Sequence, residues 1–306
     1  MRLRVGTRGS KLGRAQTQEV IRLLQTRLNV AVDVVTIKTA GDIHSDSPLT
    51  SFDVKGIFEK EIDRAIAKGE VDFAVHSLKD VPVLRPTETN IIAVPERESP
   101  YDTIVSRNGR GLAELPSNSV VGTGSPRRAA QLHHLRPDLR VEGIRGNVDT
   151  RLEKLKQGLY DAVILAEAGL RRLERNMVGK RLALEDFTPC PGQGALAVVA
   201  RSEPKEVVEA LRTINHPPSM AEAIAERAFV AEIGGGCKVP IGAVARANDS
   251  GDLSLYASIL STDGALRVSC RKMERITEPE KLGKSVAVEM LRKVTDRMPG
   301  WRASHE

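Results

Sequence analysis

The sequence predicts an α/β fold in two lobes, followed by a small α+β domain. From the start to about residue 200, short β-branched runs alternate with amphipathic stretches, in two successive units of about 90 residues each. After that point, two helical stretches precede three strand-like runs without alternation, which predicts an α+β domain with a three-stranded antiparallel sheet. A chain of 306 residues has room for two or three domains.

The first unit begins and ends with a strand. In order, the pattern predicts a strand at 3–6, a helix capped by Ser10, a strand at 32–39, a helix at 56–69 and a strand at 72–76. The polar stretch 40–53 has no periodicity, so we expect a long connection there, of the kind that often forms a lid.

The second unit repeats this order, and the last part differs from both. The predicted elements are strands at 119–124, 139–144 and 161–166 with helices at 126–135 and 147–158, then helices at 204–214 and 219–232, strands at 241–247, 253–260 and 265–273, and a helix at 278–297. We expect lobe 1 to span 1–95 and 194–214, lobe 2 to span 101–189, and the α+β domain to span 218–306.

The charge of the chain favours an anionic ligand. The net charge is +6, from 46 basic and 40 acidic residues, and the basic residues are 31 Arg and 15 Lys. Between Asp80 and Glu153 there is no Lys but there are ten Arg. Because Arg binds carboxylate or phosphate through two parallel hydrogen bonds, a small ligand with several such groups fits this bias.

Three other observations exclude classes of protein. Nine aromatic residues are too few for the stacking platforms of single-strand nucleic-acid binders. Neither a signal peptide nor an apolar run of about 18–20 residues is visible, so we expect a cytoplasmic protein without a membrane segment. The three cysteines are far apart and form no CxxC pair, so we expect neither a disulfide framework nor a metal site.

Three loops at strand ends carry the residues that an anion site needs. They are GTRGSK at 6–11, GTGSPRR at 122–128 and RGNVDTR at 145–151. Each loop alone is as well explained by a solvated arginine or a helix cap. Because ligands of open α/β sheets bind at the carboxyl ends of strands, the three loops together predict an anion site in a cleft between the lobes.

Two further strings contain candidate catalytic groups. HSLKDVP at 76–82 follows a buried strand and places Asp80 where it could stabilise positive charge, although a turn residue is the simpler interpretation. In GGGCKVP, the glycines and Lys238 favour an exposed, reactive Cys237, although the glycines could merely end a helix. Cys190 and Cys270 are expected to be structural.

Six strings in this order resemble the porphobilinogen deaminase family, whose members are also called hydroxymethylbilane synthases. They are AVHSLKDVPV, GTGSPRRAAQL, RGNVDTRL, DAVILAEAGLRRL, PGQGALAV and AERAFVAEIGGGCKVPIGA. The similarity runs from Arg4 to about Arg246 and is weaker beyond. It implies two lobes like those of periplasmic anion-binding proteins, followed by a third domain.

The resemblance also implies an activity and a cofactor. Members of the family join four porphobilinogen molecules head to tail with loss of ammonia, and water then releases linear hydroxymethylbilane. The chain grows on a dipyrromethane cofactor, which the enzyme makes from its own substrate and which a thioether would attach to Cys237. Each pyrrole carries acetate and propionate groups, which suit forked arginine donors.

The resemblance implies roles for individual residues. Asp80 matches the catalytic acid that stabilises the positive charge formed when ammonia leaves. The residues that match cofactor-binding or substrate-binding positions are Arg8, Ser10, Lys55, Phe58, Ser77, Lys79, Thr123, Ser125, Arg127, Arg128, Arg145, Gly146, Arg151, Arg172 and Gln193. The lid departs from the family pattern, because SFDVKGIF at 51–58 stands where relatives often have KIGGKGLF or DIGGKGLF.

Partners and alternatives complete the prediction. We expect a monomer that binds porphobilinogen, binds neither nucleic acid nor membrane, and transiently passes its product to a uroporphyrinogen III synthase. A two-lobed receptor for a polyanion would explain the lobes and arginines but not the glycine-flanked Cys237. A nucleic-acid binder would need no cysteine and is disfavoured by the near-balanced charge.

Overall fold

The computed structural model describes residues 1–37, 60–83, 88–175, 179–234, 239–298 and 301. Contacts group the chain into two compact units. The first unit consists of Met1–Glu98 and Gly194–Ala223, and the second consists of Ser99–Gln193 and Ile224–Glu306.

Strands and helices alternate through most of the described residues. The strands are β1 Arg2–Thr7, β2 Ala31–Thr36, β3 Phe73–Ser77, β4 Asn90–Ala93, β5 Asp102–Ser106, β6 Val120–Gly122, β7 Arg140–Glu142, β8 Ala162–Ala166, β9 Lys180–Arg181, β10 Leu196–Ala200, β11 Ile241–Ala247, β12 Asp252–Leu260 and β13 Arg267–Arg275. The helices are α1 Lys11–Arg27, α2 Lys60–Ala67, α3 Pro126–Leu135, α4 Val148–Lys156, α5 Glu167–Arg172, α6 Lys205–Arg212, α7 Pro217–Ile233 and α8 Pro279–Arg297.

The first unit is built on a five-stranded sheet in the order β2-β1-β3-β10-β4. Strand β1 runs parallel to β2 and β3, whereas β10 runs antiparallel to both β3 and β4. Both faces of the sheet are covered: Phe73 and Val198 pack in the core on the α1 side, and Ala74 and Val199 pack in the core on the α2 side. This two-sided burial explains the continuous apolar runs in β3 and β10.

The second unit contains a sheet with the same pattern of directions. Its order is β7-β6-β8-β5-β9, with β6 parallel to β7 and β8, and with β5 antiparallel to β8 and β9. In both sheets, three parallel strands are therefore followed by one strand of opposite direction and by an edge strand that again runs in the direction of the first three. The carboxyl ends of the parallel strands meet at one edge of each sheet, which is where predicted site loops begin.

The second unit also holds a separate antiparallel sheet in the order β11-β12-β13. Helix α8 contributes buried side chains beside this sheet, among them Leu282, Val286 and Met290. The α/β fold with a three-stranded α+β part, as predicted, is confirmed. No helix in the described residues is long and apolar enough to cross a membrane.

The predicted elements of the parallel sheets and of the α+β part are found within a few residues of their expected bounds. Strands β4, β5, β9 and β10 were not predicted. The prediction relied on strands that alternate with helices. It missed the antiparallel strands β5 and β10 because neither forms a β-helix-β unit with its sheet neighbours. The predicted connection at 40–53 lies outside the described residues.

Candidate functional site

In the first unit, two predicted site loops leave the same edge of the sheet. Strands β1 and β3 are parallel neighbours, with Val5 opposite Phe73 and Gly6 opposite Ala74. Arg8 and Ser10 follow β1, and Lys79 and Asp80 follow β3. The parallel register therefore brings these residues of the first unit to one sheet edge, as the sequence predicted for strand-end loops.

The loop after β1 is held by its helix cap. The Ser10 hydroxyl accepts a hydrogen bond from the backbone N–H of Gly13 at 3.1 Å, which satisfies one free donor of the first turn of α1. The Thr17 hydroxyl donates to Thr7 Oγ1 at 2.8 Å and thereby ties α1 to the end of β1. Arg8 lies between Thr7 and Ser10 in the chain and is partly buried. These two hydrogen bonds therefore hold the turn that carries it.

The loop after β3 places Asp80 in a short 3₁₀ turn, Leu78–Asp80. Leu78 is buried, and its backbone carbonyl accepts a hydrogen bond from Val81 at 3.1 Å. Within the described residues, the exposed carboxylate of Asp80 has no ion-pair or hydrogen-bond partner. An anchored turn therefore presents at the sheet edge a carboxylate that is unpaired as far as the described part of the chain shows.

Neighbouring side chains support this turn. Gln16 Nε2 donates to Ser77 Oγ at 2.7 Å, so the predicted site residue Ser77 also joins β3 to α1. Lys79 is partly buried. His76 is 6% exposed, with Nε2 3.9 Å from Asp63 Oδ1, which fits the interpretation of a core histidine.

In the second unit, the loop after β6 also ends in a capped helix. The backbone N–H of Thr123 donates to Glu142 O at 2.9 Å, which holds the loop against β7. The Ser125 hydroxyl caps α3 by accepting a hydrogen bond from the N–H of Arg128, and Pro126 occupies the first turn of the helix. Thr123 is buried and Ser125 is partly buried.

Arg127 and Arg128 follow directly, and both are almost completely buried on one carboxylate. Arg127 is 5% exposed and Arg128 is 7% exposed, while Asp102 is fully buried. Arg127 Nη2 lies 2.8 Å from Asp102 Oδ2, and Arg128 Nη2 lies 2.6 Å from Oδ1. Burial raises the pKa of Asp102, but the charges of Arg127 and Arg128 together with hydrogen bonds from Gln193 and Arg128 lower it to about 2.

Other predicted site residues lie after β7 and β8. Gly146 has φ +106°, and its carbonyl accepts a hydrogen bond from Arg151 Nε at 2.8 Å. Burial lowers the pKa of Arg151, and the charge of Arg128 lowers it further, so these two cations are neighbours. Arg145 is exposed, and Arg172 is partly buried at the end of α5.

Gln193 is fully buried and contacts the same cluster. Its Nε2 donates to Pro100 O at 2.8 Å and to Asp102 Oδ1 at 3.0 Å. Sequence reasoning missed Asp102, although an acidic residue directly before the apolar run TIV was a visible signal. Its two arginine partners are more than twenty residues away along the chain, so the sequence could not pair them.

Three predicted site residues, Lys55, Phe58 and Cys237, lie outside the described residues. Of the other cysteines, Cys190 is partly buried and Cys270 is buried. Burial raises the pKa of the Cys270 thiol, in keeping with a structural role. Among the described residues, no cluster of His, Cys, Asp and Glu could hold a metal ion.

The chain thus has two α/β units with polar strand-end loops, one of which surrounds a buried arginine cluster, and a small α+β part. These features are those expected of a protein that binds a small polyanion. The family model of the dipyrromethane cofactor binding domain of porphobilinogen deaminase matches residues 3–209, and the model of its C-terminal domain matches residues 220–292. The chain belongs to the porphobilinogen deaminase family.

Two relatives of high identity support this assignment. The probable porphobilinogen deaminase of Hyperthermus butylicus is 44% identical over 297 residues, which cover 95% of this chain and 97% of that protein. The porphobilinogen deaminase of Desulforudis audaxviator is 45% identical over 289 residues, covering 94% and 93%. A Salmonella typhimurium periplasmic binding protein with high arginine specificity covers 70% of this chain and 91% of its own, at 12% identity and a TM-score of 0.41.

The chain is therefore an enzyme, a transferase of porphyrin and tetrapyrrole biosynthesis with a dipyrromethane cofactor. Its described residues fit that cofactor. Arg127 and Arg128 both pair with Asp102, and Arg151 is a neighbour of Arg128. The positive charge in excess of Asp102 suits a ligand with several carboxylates.

Proposed function

We propose that the chain is a hydroxymethylbilane synthase that condenses four porphobilinogen molecules head to tail. Each condensation releases ammonia, and hydrolysis finally releases linear hydroxymethylbilane. The observation that carries this proposal is the cationic cluster of the buried Arg127 and Arg128 with the partly buried Arg151, whose charge exceeds that of Asp102. A substrate with acetate and propionate groups supplies the missing negative charge.

Asp80 is the proposed catalytic residue. Loss of ammonia from porphobilinogen leaves positive charge on the pyrrole, and an ionised carboxylate close to it lowers the energy of that charge. The unpaired state of Asp80 within the described residues and its anchored turn support this role. A carboxylate already paired with an arginine could not respond in the same way to a charge that forms on the substrate.

The other residues would bind carboxylates or hold the cofactor. When bound, dipyrromethane supplies the pyrrole carbon that accepts the first substrate unit, and Cys237 is its proposed thioether attachment point. In the first unit the proposed binding residues are Arg8, Ser10, Lys55, Phe58, Ser77 and Lys79. In the second unit they are Thr123, Ser125, Arg127, Arg128, Arg145, Gly146, Arg151, Arg172 and Gln193.

We also propose how the chain divides into domains, where it acts and which enzyme takes its product. Lobe 1 consists of 1–95 and 194–214, lobe 2 consists of 101–189, and the α+β domain consists of 218–306. The protein acts as a cytoplasmic monomer and passes its product to a uroporphyrinogen III synthase. The instability of the linear product is the chemical reason for this hand-over.

The test is the mass of the intact protein. We expect an adduct with the mass of dipyrromethane on the wild-type chain, no adduct on Cys237→Ser, and the full adduct on Cys190→Ser. Cys190 is the matched control because it is another thiol of the chain and is only partly buried. An unmodified wild-type protein that turns over porphobilinogen would contradict the proposed attachment.

A further inference from the structure

We propose that Asp102 is a positioning residue: it pairs with one nitrogen of Arg127 and with one edge of Arg128, and so fixes how both guanidiniums meet the carboxylates of the ligand. This inference rests on the proposed function. Asp102 lies at the start of β5, and both arginines lie in the first turn of α3. It does not touch the ligand itself in this role, because its side chain is completely buried.

Helix geometry explains why the two arginines need such a residue. Successive residues of an α-helix point about 100° apart, and two adjacent guanidinium groups repel each other. Both nevertheless converge on Asp102. Arg127 approaches Oδ2 at 2.8 Å, while Arg128 donates to Oδ1 from Nε at 3.0 Å and from Nη2 at 2.6 Å.

Backbone carbonyls fix the orientation of each guanidinium further. Arg127 Nη1 donates to Thr188 O at 2.6 Å, and Arg128 Nη1 donates to Ile164 O at 3.0 Å. A planar group held at two of its nitrogens cannot rotate. Since a guanidinium has five N–H donors, each arginine keeps further N–H groups for a ligand.

Gln193 is a second positioning residue in the same network. Its Nε2 donates both to Asp102 Oδ1 and to Pro100 O, so it holds the Asp102 carboxylate against the backbone that enters β5. The resemblance assigned Gln193 to ligand binding. The two bonds of its amide nitrogen add a role behind the arginines to that assignment.

Asp102 acts as a permanent charge. Its pKa of about 2 keeps it ionised at neutral pH, so it is not a proton donor there. Without its charge, two buried guanidiniums would repel each other with no internal anion between them. The N–H groups that face the ligand would then lose their fixed geometry.

The test compares Asp102→Asn with Asp161→Asn in the cofactor-loaded enzyme. The amide keeps the shape of the side chain but removes its charge. We expect KM for porphobilinogen to rise about tenfold or more and kcat to fall less than KM rises. Asp161 is a matched control, because it also pairs with an arginine, Arg107, at 2.7 Å in the same unit, and we expect its variant to keep the wild-type KM.

A second measurement follows loading of the cofactor rather than formation of the product. Apo-protein is incubated with porphobilinogen for a fixed time, and the fraction that carries the adduct is read from the intact mass. For Asp102→Asn, the porphobilinogen concentration that loads half of the protein should rise about tenfold. If the variant does not fold, Gln193→Met keeps all charges, and we expect a rise in KM of about threefold.

The outcomes separate the two proposals. A wild-type enzyme that does not consume porphobilinogen overturns the proposed function. A wild-type enzyme that is active, together with Asp102→Asn or Gln193→Met variants that keep the wild-type KM and loading concentration, overturns only the positioning role. Equal increases in KM for Asp102→Asn and Asp161→Asn would also contradict that role, because they would reflect a general loss of structure.

Discussion

Two aspartates of this chain show how the surroundings of a residue decide its use. Asp80 is exposed on an anchored turn, and its carboxylate has no partner within the described residues. Asp102 is fully buried and paired with two arginines. An unpaired carboxylate can respond to charge on a substrate, whereas a paired and buried one holds its partners in place.

The residue-scale prediction concerns Asp80. We expect Asp80→Asn to keep the dipyrromethane adduct but to lower kcat about 10²–10³-fold, because the amide cannot offset positive charge on the pyrrole. Steady-state kinetics and intact mass on the same preparation measure both effects. Asp249→Asn, an exposed Asp-to-Asn change in the turn before β12, is the control and should retain wild-type kcat. A normal kcat for Asp80→Asn would remove this residue from catalysis.

The sequence located Asp80 because a short polar run after a buried strand is a local pattern. The same reasoning reached Ser10 and Ser125, whose capping hydrogen bonds involve neighbours three residues away. It did not predict the ion pair between Asp102 and Arg128, because those residues are 26 positions apart. Such pairings depend on the packing of β5 against α3, which no local pattern records.

At the scale of elements, the turn between β12 and β13 packs against α3, the helix that carries Arg127 and Arg128. Gly264 in this turn has φ +76°, and its carbonyl oxygen lies 2.9 Å from His134 Nδ1. A Cβ on Gly264 would overlap the carbonyl oxygen of Ala130. Close approach, as well as backbone conformation, therefore requires glycine at this position.

The element-scale prediction uses two glycines with the same backbone conformation. Gly251 has φ +78°, but a Cβ there would meet nothing within 4 Å. We expect Gly251→Ala to lower the free energy of unfolding by about 1 kcal/mol through strain alone, and Gly264→Ala by about 2–5 kcal/mol because the hairpin must move away from α3. Urea denaturation gives both values. Equal losses would show that the turn does not need its close contact with the helix.

At the scale of the whole molecule, the positive charge of the chain is concentrated in one region rather than spread evenly. The net charge is only +6, yet residues 80–153 contain ten Arg and no Lys. In the second unit, part of that charge is buried around Asp102, where partners and solvent exclusion strengthen each interaction. Other carboxylates are held ionised by cations in the same way, and hydrogen bonds from Lys293 and Lys272 lower the pKa of Glu289 to about 2.

The whole-molecule prediction follows from these lowered pKa values. In the unfolded chain an aspartate or glutamate titrates near pH 4, so ionised Asp102 contributes its stabilisation fully above about pH 5. Below that, the unfolded state takes up protons first, and the stabilisation is lost as pH falls towards 2. We expect the free energy of unfolding to be flat from pH 7 to pH 5 and to fall steeply below pH 4.

Urea denaturation at a series of pH values measures this dependence. Asp102→Asn should be less stable at pH 7, with a shallower decline between pH 4 and pH 2.5, because it lacks one titrating group. Asp249→Asn, which changes an exposed carboxylate, should follow the wild-type slope. A slope for Asp102→Asn equal to that of the wild type would show that Asp102 does not carry the lowered pKa.

The sequence by itself determined the alternation of strands and helices, the capped loops at strand ends, the separate antiparallel sheet and the family. Each of these depends on residues close together in the chain or on strings that can be compared directly. Only the tertiary structure decided that β10 and β5 complete the two sheets, and that Arg127 and Arg128 share Asp102 with Gln193. The physical reason is that both the insertion of an antiparallel strand and the pairing of buried charges join segments that are distant in the chain. The free energy of these interactions depends on the packed interior rather than on any local pattern.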